Sequence, residues 1–423
     1  MQNFNKITLE NGLRIITAPK QDSLATTVLV LVEAGSKYET KDINGLSHFL
    51  EHMCFKGTEK RPRSIDIASE LDGIGAISNA FTSQEYTGYF AKAEPKYFDR
   101  ILDIVSDIYL EPIFETKEID KERGVIIEEI NMYEDLPMRR VHELFANLLY
   151  GDQPAGWDIA GRKEVIQKLN REDFIKYQQN HYLANSTLVV VAGNFDEKEA
   201  VEKIKESFSA IKIGEKTQKI PTKERQEEPR ILLKKKYSDQ THLVLGTRAY
   251  DIFDKRKYAL EILAEILGGG MSSRLFQKIR EEMGAAYYVS ADSDLYTDHG
   301  YLAVSAGIDH NKIESVLSAI LEEFQKITKE PVENKELQRV KDRIVGHLSL
   351  SLETSNQLAN FFGGQEILTR KIIAPEEIAK KIQAVTAEEI AAVSDDIFKN
   401  NKLNLAIIGP FEDKAKFEKI LKL

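Results

Sequence analysis

The sequence predicts an α+β protein of two homologous domains, each a mainly antiparallel sheet covered by helices. Three observations lead there. Strand-like segments come in pairs and helical patterns in blocks, which disfavours the regular alternation of a doubly wound sheet. The 423 residues suit two or three domains of ordinary size. The second half of the chain also repeats the first at an offset close to half its length.

Taken in order, residues 7–16 (ITLENGLRII) place two short apolar runs around Asn11-Gly12, a pair suited to a hairpin turn. Residues 26–32 read as a buried strand and 45–56 as an amphipathic helix. Residues 77–82 and 86–93 read as two further strands. Long helical patterns follow at 95–110, 116–133 and 139–149, then a strand at 186–193 and a helix at 197–209. Residues 214–229 (GEKTQKIPTKERQEEP) are polar and lack an apolar period, so they read as a linker. The predicted domains are therefore 1–213 and 230–423.

The repeat is clearest at the ends of the halves. Shifted by 216, residues 193–204 (GNFDEKEAVEKI) fall on 409–420 (GPFEDKAKFEKI), with a strand before each. Shifted by 214, residues 45–52 (GLSHFLEH) fall on 259–266 (ALEILAEI), and shifted by 215, residues 98–105 fall on 313–320. Small loop insertions account for the drift. The duplication separates packing from chemistry: Ile262 and Ile266 stand at the positions of His48 and His52, and Arg343 or Ile344 at that of Glu129. A residue needed only to fill that helix face could be isoleucine, so the first half's polar set serves another purpose.

Composition narrows the classes. Lys and Arg total 58 against 68 Asp and Glu, a net charge of −10, which disfavours a dedicated nucleic-acid binder. The single cysteine, Cys54, excludes an intrachain disulfide and a cysteine zinc cluster, and suits a reducing compartment. The N-terminus lacks the pattern of a signal peptide, and no apolar run reaches the roughly 18 residues of a membrane span. A cytoplasmic protein with no membrane partner is expected.

His48-x-x-Glu51-His52 lies on the predicted helix. At about 100° per residue the two imidazoles are ~40° apart, one turn along, and can grip a single Zn²⁺. A catalytic zinc needs a third ligand and an open position. The candidates lie on the helix that carries Glu122, Glu128 and Glu129. Glu122 and Glu129, seven apart, share a face to within ~20°, while Glu128 points ~100° away from Glu129. One of the pair can ligate and the other can hydrogen-bond a ligating imidazole. Spacing prefers Glu129 to Glu128 only if Glu122 takes part.

These motifs resemble the pitrilysin/insulysin superfamily of zinc peptidases, the inverzincins, and most closely its bacterial branch related to mitochondrial processing peptidase. The likeness rests on residues 48–58 (HFLEHMCFKGT), Asn79-Ala80-Phe81-Thr82, 122–129, and 268–287 (GGGMSSRLFQKIREEMGAAY). It implies a zinc endopeptidase with one Zn²⁺ per chain, held by His48, His52 and Glu129, with Glu122 supporting a ligand. Glu51 then takes the proton of a zinc-activated water as that water attacks the scissile carbonyl, and delivers it to the leaving amine. The resemblance makes Asn79, Ala80, Phe81 and Thr82 an edge strand that pairs with substrate backbone. It makes Arg280 and Tyr287 a pair reaching the zinc site from a second-half domain. It also implies peptide or unfolded polypeptide substrates, a chamber between paired domains, and a homodimer.

Two other functions compete: a non-catalytic or scaffold subunit of a peptidase complex, and a dedicated maturation protease for one modified peptide. The other six histidines lack partners at metal spacing and read as surface or satisfied core residues. Trp157 and Cys54 read as packing, and Gly268-Gly269-Gly270 as a flexible loop after a helix.

Overall fold

The asparagine–glycine pair closes the first hairpin. In the computed structural model, which describes residues 4–423, it joins β1 (Asn5–Thr8) to β2 (Arg14–Pro19), with Gly12 at φ 90°. β3 (Thr26–Val32) is buried along its whole length, as an apolar, β-branched run should be inside a sheet. β4 (Ile77–Thr82), β5 (Thr87–Ala93) and β6 (Thr187–Gly193) complete the sheet in the order β1-β2-β6-β3-β5-β4. Only β2 and β6 pair in parallel, and β4 forms one edge.

The second sheet repeats this plan. β7 (Arg230–Lys235), β8 (Thr241–Arg248), β9 (Ala286–Leu295), β10 (Gly300–Ile308) and β11 (Leu403–Gly409) run in the order β7-β11-β8-β10-β9. Substituting β2, β6, β3, β5 and β4 reproduces both the order and every pairing direction, with β7–β11 the parallel pair. The duplication read in the sequence is therefore a duplication of topology.

The helices follow the same plan. In the first half these are α1 (Leu46–Cys54), α2 (Ser64–Gly73), α3 (Phe98–Leu110), α4 (Thr116–Asp135), α5 (Pro137–Tyr150), α6 (Lys163–Ile166), α7 (Arg171–His181) and α8 (Glu197–Ser207). Their second-half counterparts include α9 (Lys257–Gly268), α10 (Ile313–Lys329), α11 (Asn334–Leu350) and α12 (Ser355–Thr369), which correspond to α1, α3, α4 and α5. The predicted pattern missed α2 and α7. Each buries too few apolar residues to set a period: Ile67 and Leu71 in α2, Phe174 and Tyr177 in α7. Among the described residues no helix is long and apolar enough to cross a membrane.

The chain folds into two compact units, neither of them contiguous in sequence. The first compact unit takes the chain up to Asn131, Trp157–Ile220 and Ser349–Ala374; the second takes Met132–Gly156, Pro221–Leu348 and Pro375–Leu423. Each half thus lends one helix to the other unit. The physical reason is that both central strands are buried on both faces, so a single helical layer cannot cover a sheet. α12 packs on β6 and β3, where Gly363 lets it approach: a Cβ there would lie 2.8 Å from Leu31 Cδ1. Its Glu366, fully buried, pairs with Lys6 at 2.7 Å and Arg14 at 3.3 Å. Likewise α5 sets Val141, Phe145 and Leu149 against Val244, Ala303, Ala406 and Ile408 of the second sheet. The crossing between Ile220 and Pro221 falls inside residues 214–229, which hold no helix or strand.

Cys54 is a small buried thiol, 3.6 Å from the Tyr89 hydroxyl and pushed by burial up to about 12. Trp157 is also buried. His181 packs against the Tyr177 ring with centroids 4.2 Å apart, and burial depresses its pKa to about 4. Between its ordinary value of 6.5 and about 4, the unfolded chain binds a proton that the folded chain refuses. Stability from this group is therefore complete above that window and lost as pH falls through it. We expect denaturant unfolding of the wild type to lose on the order of 2 kcal/mol more between pH 7 and pH 4.5 than His181→Phe loses. Identical pH dependence in the two proteins would show that another group titrates.

Candidate metal centre

α1 presents two faces. Leu46, Phe49, Leu50 and Met53 recur at helical spacing and are buried in the first core. Their burial leaves His48 and His52 together on the other side, rings 4.7 Å apart and partly exposed. The start of the helix is fixed by Glu39, whose buried carboxylate accepts from Gly45 N–H at 2.8 Å and Ser47 N–H at 2.7 Å.

α4 supplies the carboxylates. Glu129 Oε2 lies 3.6 Å from both His48 Nε2 and His52 Nε2. Donor atoms of these three residues all fall within 4.8 Å of one another, the one such group of three among the described residues. Glu122 lies one face-repeat earlier, its Oε1 2.9 Å from His52 Nδ1 and its Oε2 2.6 Å from Lys56 Nζ. A carboxylate can only accept there, so His52 donates from Nδ1, and the neutral ring then has its lone pair on Nε2, the atom nearest Glu129. Burial works against the Glu122 charge, but His52 and Lys56 outweigh it and hold its pKa below the usual carboxylate range. Glu128 is exposed and engages Asn131 instead.

Glu51 stands beside this group without joining it. It is 9% exposed, and burial raises its pKa, partly offset by the Thr82 hydroxyl that donates to Oε2. Thr82 ends β4, so Asn79, Ala80, Phe81 and Thr82 lie on an edge strand that reaches the candidate base. Phe81 packs over Gly88 of β5, where a Cβ would collide with its ring. Arg280 and Tyr287 belong to the second unit: Arg280 on a π-helical segment (Phe276–Glu282) rather than an ordinary amphipathic helix, Tyr287 on β9 and 74% exposed. Sequence reasoning missed Glu39, Lys56 and the Thr82–Glu51 bond. Lys56 alone had a readable signal, one turn beyond His52 on the same face.

Two imidazole nitrogens and one carboxylate oxygen, partly buried and converging, form the donor set of a zinc site that keeps a position open. The residues present fit the ion. Fold and site together define a candidate metal-dependent peptidase with an H-x-x-E-H helix.

Comparison with known proteins agrees. Residues 14–163 match the family described as insulinase (peptidase family M16), and residues 168–344 match the peptidase M16 inactive domain. An uncharacterized zinc protease of Rickettsia felis is 37% identical over 97% of this chain and 98% of its own length. The uncharacterized zinc protease YmxG of Bacillus subtilis is 34% identical over 96% of this chain and 98% of its own. The chain belongs to peptidase family M16. Among solved structures, a protease from Helicobacter pylori superposes with a TM-score of 0.92 at 23% identity, covering 97% of this chain and all of that one. An M16 inactive domain from Pseudomonas fluorescens superposes with a TM-score of 0.89 at 18% identity, covering 97% of this chain and 99% of that one. These two likenesses bear on the fold alone.

Proposed function

We propose that the chain is a zinc endopeptidase, cleaving peptides or unfolded polypeptide segments in a chamber between paired domains. The convergence of His48, His52 and Glu129 beside Glu51 carries this reading. Zinc, when held by those three side chains, supplies Lewis acidity toward water and a carbonyl oxygen. Glu51 takes a proton from the attacking water and passes it to the nitrogen of the breaking peptide bond, and the raised pKa suits both transfers. Glu122 holds the His52 tautomer, and the free edge of β4 offers N–H and C=O groups to any extended peptide. Main-chain pairing favours broad sequence tolerance. The family match to an inactive domain spans residues 168–344, which hold none of the three donors, so that match does not favour a scaffold subunit over an enzyme.

The proposal extends to a cytoplasmic homodimer in which Arg280 and Tyr287 act at the partner's zinc, orienting substrate and stabilising the oxyanion. Mixing inactive Glu51→Gln chains with inactive Tyr287→Phe chains should then restore up to one working site per heterodimer. No recovery despite demonstrated subunit exchange, or a fully active monomer in ultracentrifugation, would overturn the trans arrangement. The activity itself is tested with a random peptide library: internal cleavages that a chelator abolishes support it, and an uncut library with zinc-loaded protein contradicts it.

A further inference from the structure

The second half keeps the helix that holds Glu122 and Glu129 but uses its face differently. At the offset of 214, Glu122, Val125 and Glu129 of α4 become Glu336, Arg339 and Arg343 of α11, and Glu51 of α1 becomes Glu265 of α9. Spaced three and four apart, the α11 residues lie on one face. Where Glu122 meets His52, Glu336 grips Arg274 through two parallel bonds of 3.0 and 2.7 Å. In place of Glu129 among metal donors, Arg343 sets Nη1 3.4 Å from Glu265 Oε2 and donates through Nη2 to the Gly269 carbonyl. Arg339 donates to the Ser272 carbonyl at 3.3 Å. The cationic role of an ion is thus taken by a guanidinium, and all three side chains close on one segment, residues 269–274.

That segment is the glycine loop, and close neighbours surround its glycines. A Cβ on Gly268 would run into the Ala291 backbone of β9, one on Gly269 into Glu265, and one on Gly270 would lie 2.7 Å from Arg343 Nε. The three glycines let the chain pass between β9 and the α11 side chains. The chain continues directly into the π-helical segment with Arg280 and then into β9 with Tyr287. Both side chains are exposed, with Arg280 resting on the Phe276 ring at 4.9 Å, so the backbone behind them sets where they stand. A π-helical turn is an uncommon element found frequently at functional sites.

We propose that Glu336, Arg339 and Arg343 form a metal-free latch, the second-half counterpart of the metal centre, that positions the glycine loop and through it Arg280 and Tyr287. They are positioning residues. The latch itself stands on the contacts above, while its consequence for turnover rests on the roles proposed for Arg280 and Tyr287.

The test uses full-length Arg343→Ala, Arg343→Lys and Glu336→Gln, with three readouts: zinc content, hydrogen exchange of residues 268–287, and kcat and KM on a fluorogenic peptide. In Arg343→Ala, exchange across 269–275 should rise by ~10-fold or more while the first unit stays protected and zinc stays at the wild-type level. With the loop released, kcat should fall ~10–100-fold, the loss expected when reacting groups shift by about an ångström. Arg343→Lys, which keeps one cationic donor, should recover part of both, and Glu336→Gln should loosen the loop without touching Glu265. Unchanged exchange at 269–275 in both Arg343→Ala and Glu336→Gln overturns the latch whatever the activity. Raised exchange with unchanged kcat and KM overturns its link to turnover. A zinc-loaded wild type with no peptidase activity defeats the proposed function instead, and exchange still decides the latch.

Discussion

Replacing Glu51 by glutamine is expected to leave zinc binding intact and to lower kcat/KM by ~10³-fold or more, on the order of 4 kcal/mol of transition-state stabilisation. The amide keeps the size of the side chain and can still accept from the Thr82 hydroxyl, so the fold around α1 and β4 should not move. The three converging donors belong to His48, His52 and Glu129, so the ion should stay. What the amide cannot do is receive a proton from water. Metal analysis alongside turnover on one peptide separates the two effects. Near-wild-type turnover at full zinc occupancy would remove Glu51 from the reaction.

Removing the third donor acts on the metal instead. Glu129→Gln should weaken zinc affinity by at least ~100-fold relative to Glu128→Gln, because Glu129 Oε2 lies 3.6 Å from both imidazole nitrogens while Glu128 faces solvent. Glu122→Gln should fall between, at ~10–100-fold, since the amide no longer enforces one tautomer on His52. Competition against a chromophoric chelator measures all three on one scale. Equal losses for Glu128→Gln and Glu129→Gln would reassign the ligand.

The two faces of the candidate donor cluster were legible because helical periodicity is a short-range rule, while the choice of Glu129 over Glu122 as ligand came from the family resemblance. His48 and His52 one turn apart, and Glu122 and Glu129 two turns apart, declare a shared face without knowledge of the fold. The duplication was legible for a similar reason: apolar patterns survive divergence, and strand order followed them. The exchange of α5 and α12 was not legible. Their sequences show an amphipathic helix but not which of two similar sheets it covers, and the Lys6–Glu366–Arg14 contacts join residues more than 350 positions apart. Glu39 was hidden differently. A carboxylate six residues before Gly45 caps α1 through a loop, and no helical period links them. Thr82 was seen as part of an edge strand, yet its bond to Glu51 depends on how β4 meets α1.

If one zinc ion, held by two histidines and a glutamate of the first unit, drives peptide cleavage, activity should follow the metal. The most direct measurement is stepwise return of zinc to metal-free protein while peptide cleavage is followed. Cleavage should rise from zero and break sharply at about one zinc per chain, the content expected of a single His₂Glu site. Full cleavage by metal-free protein, or no cleavage at saturating zinc, would contradict it.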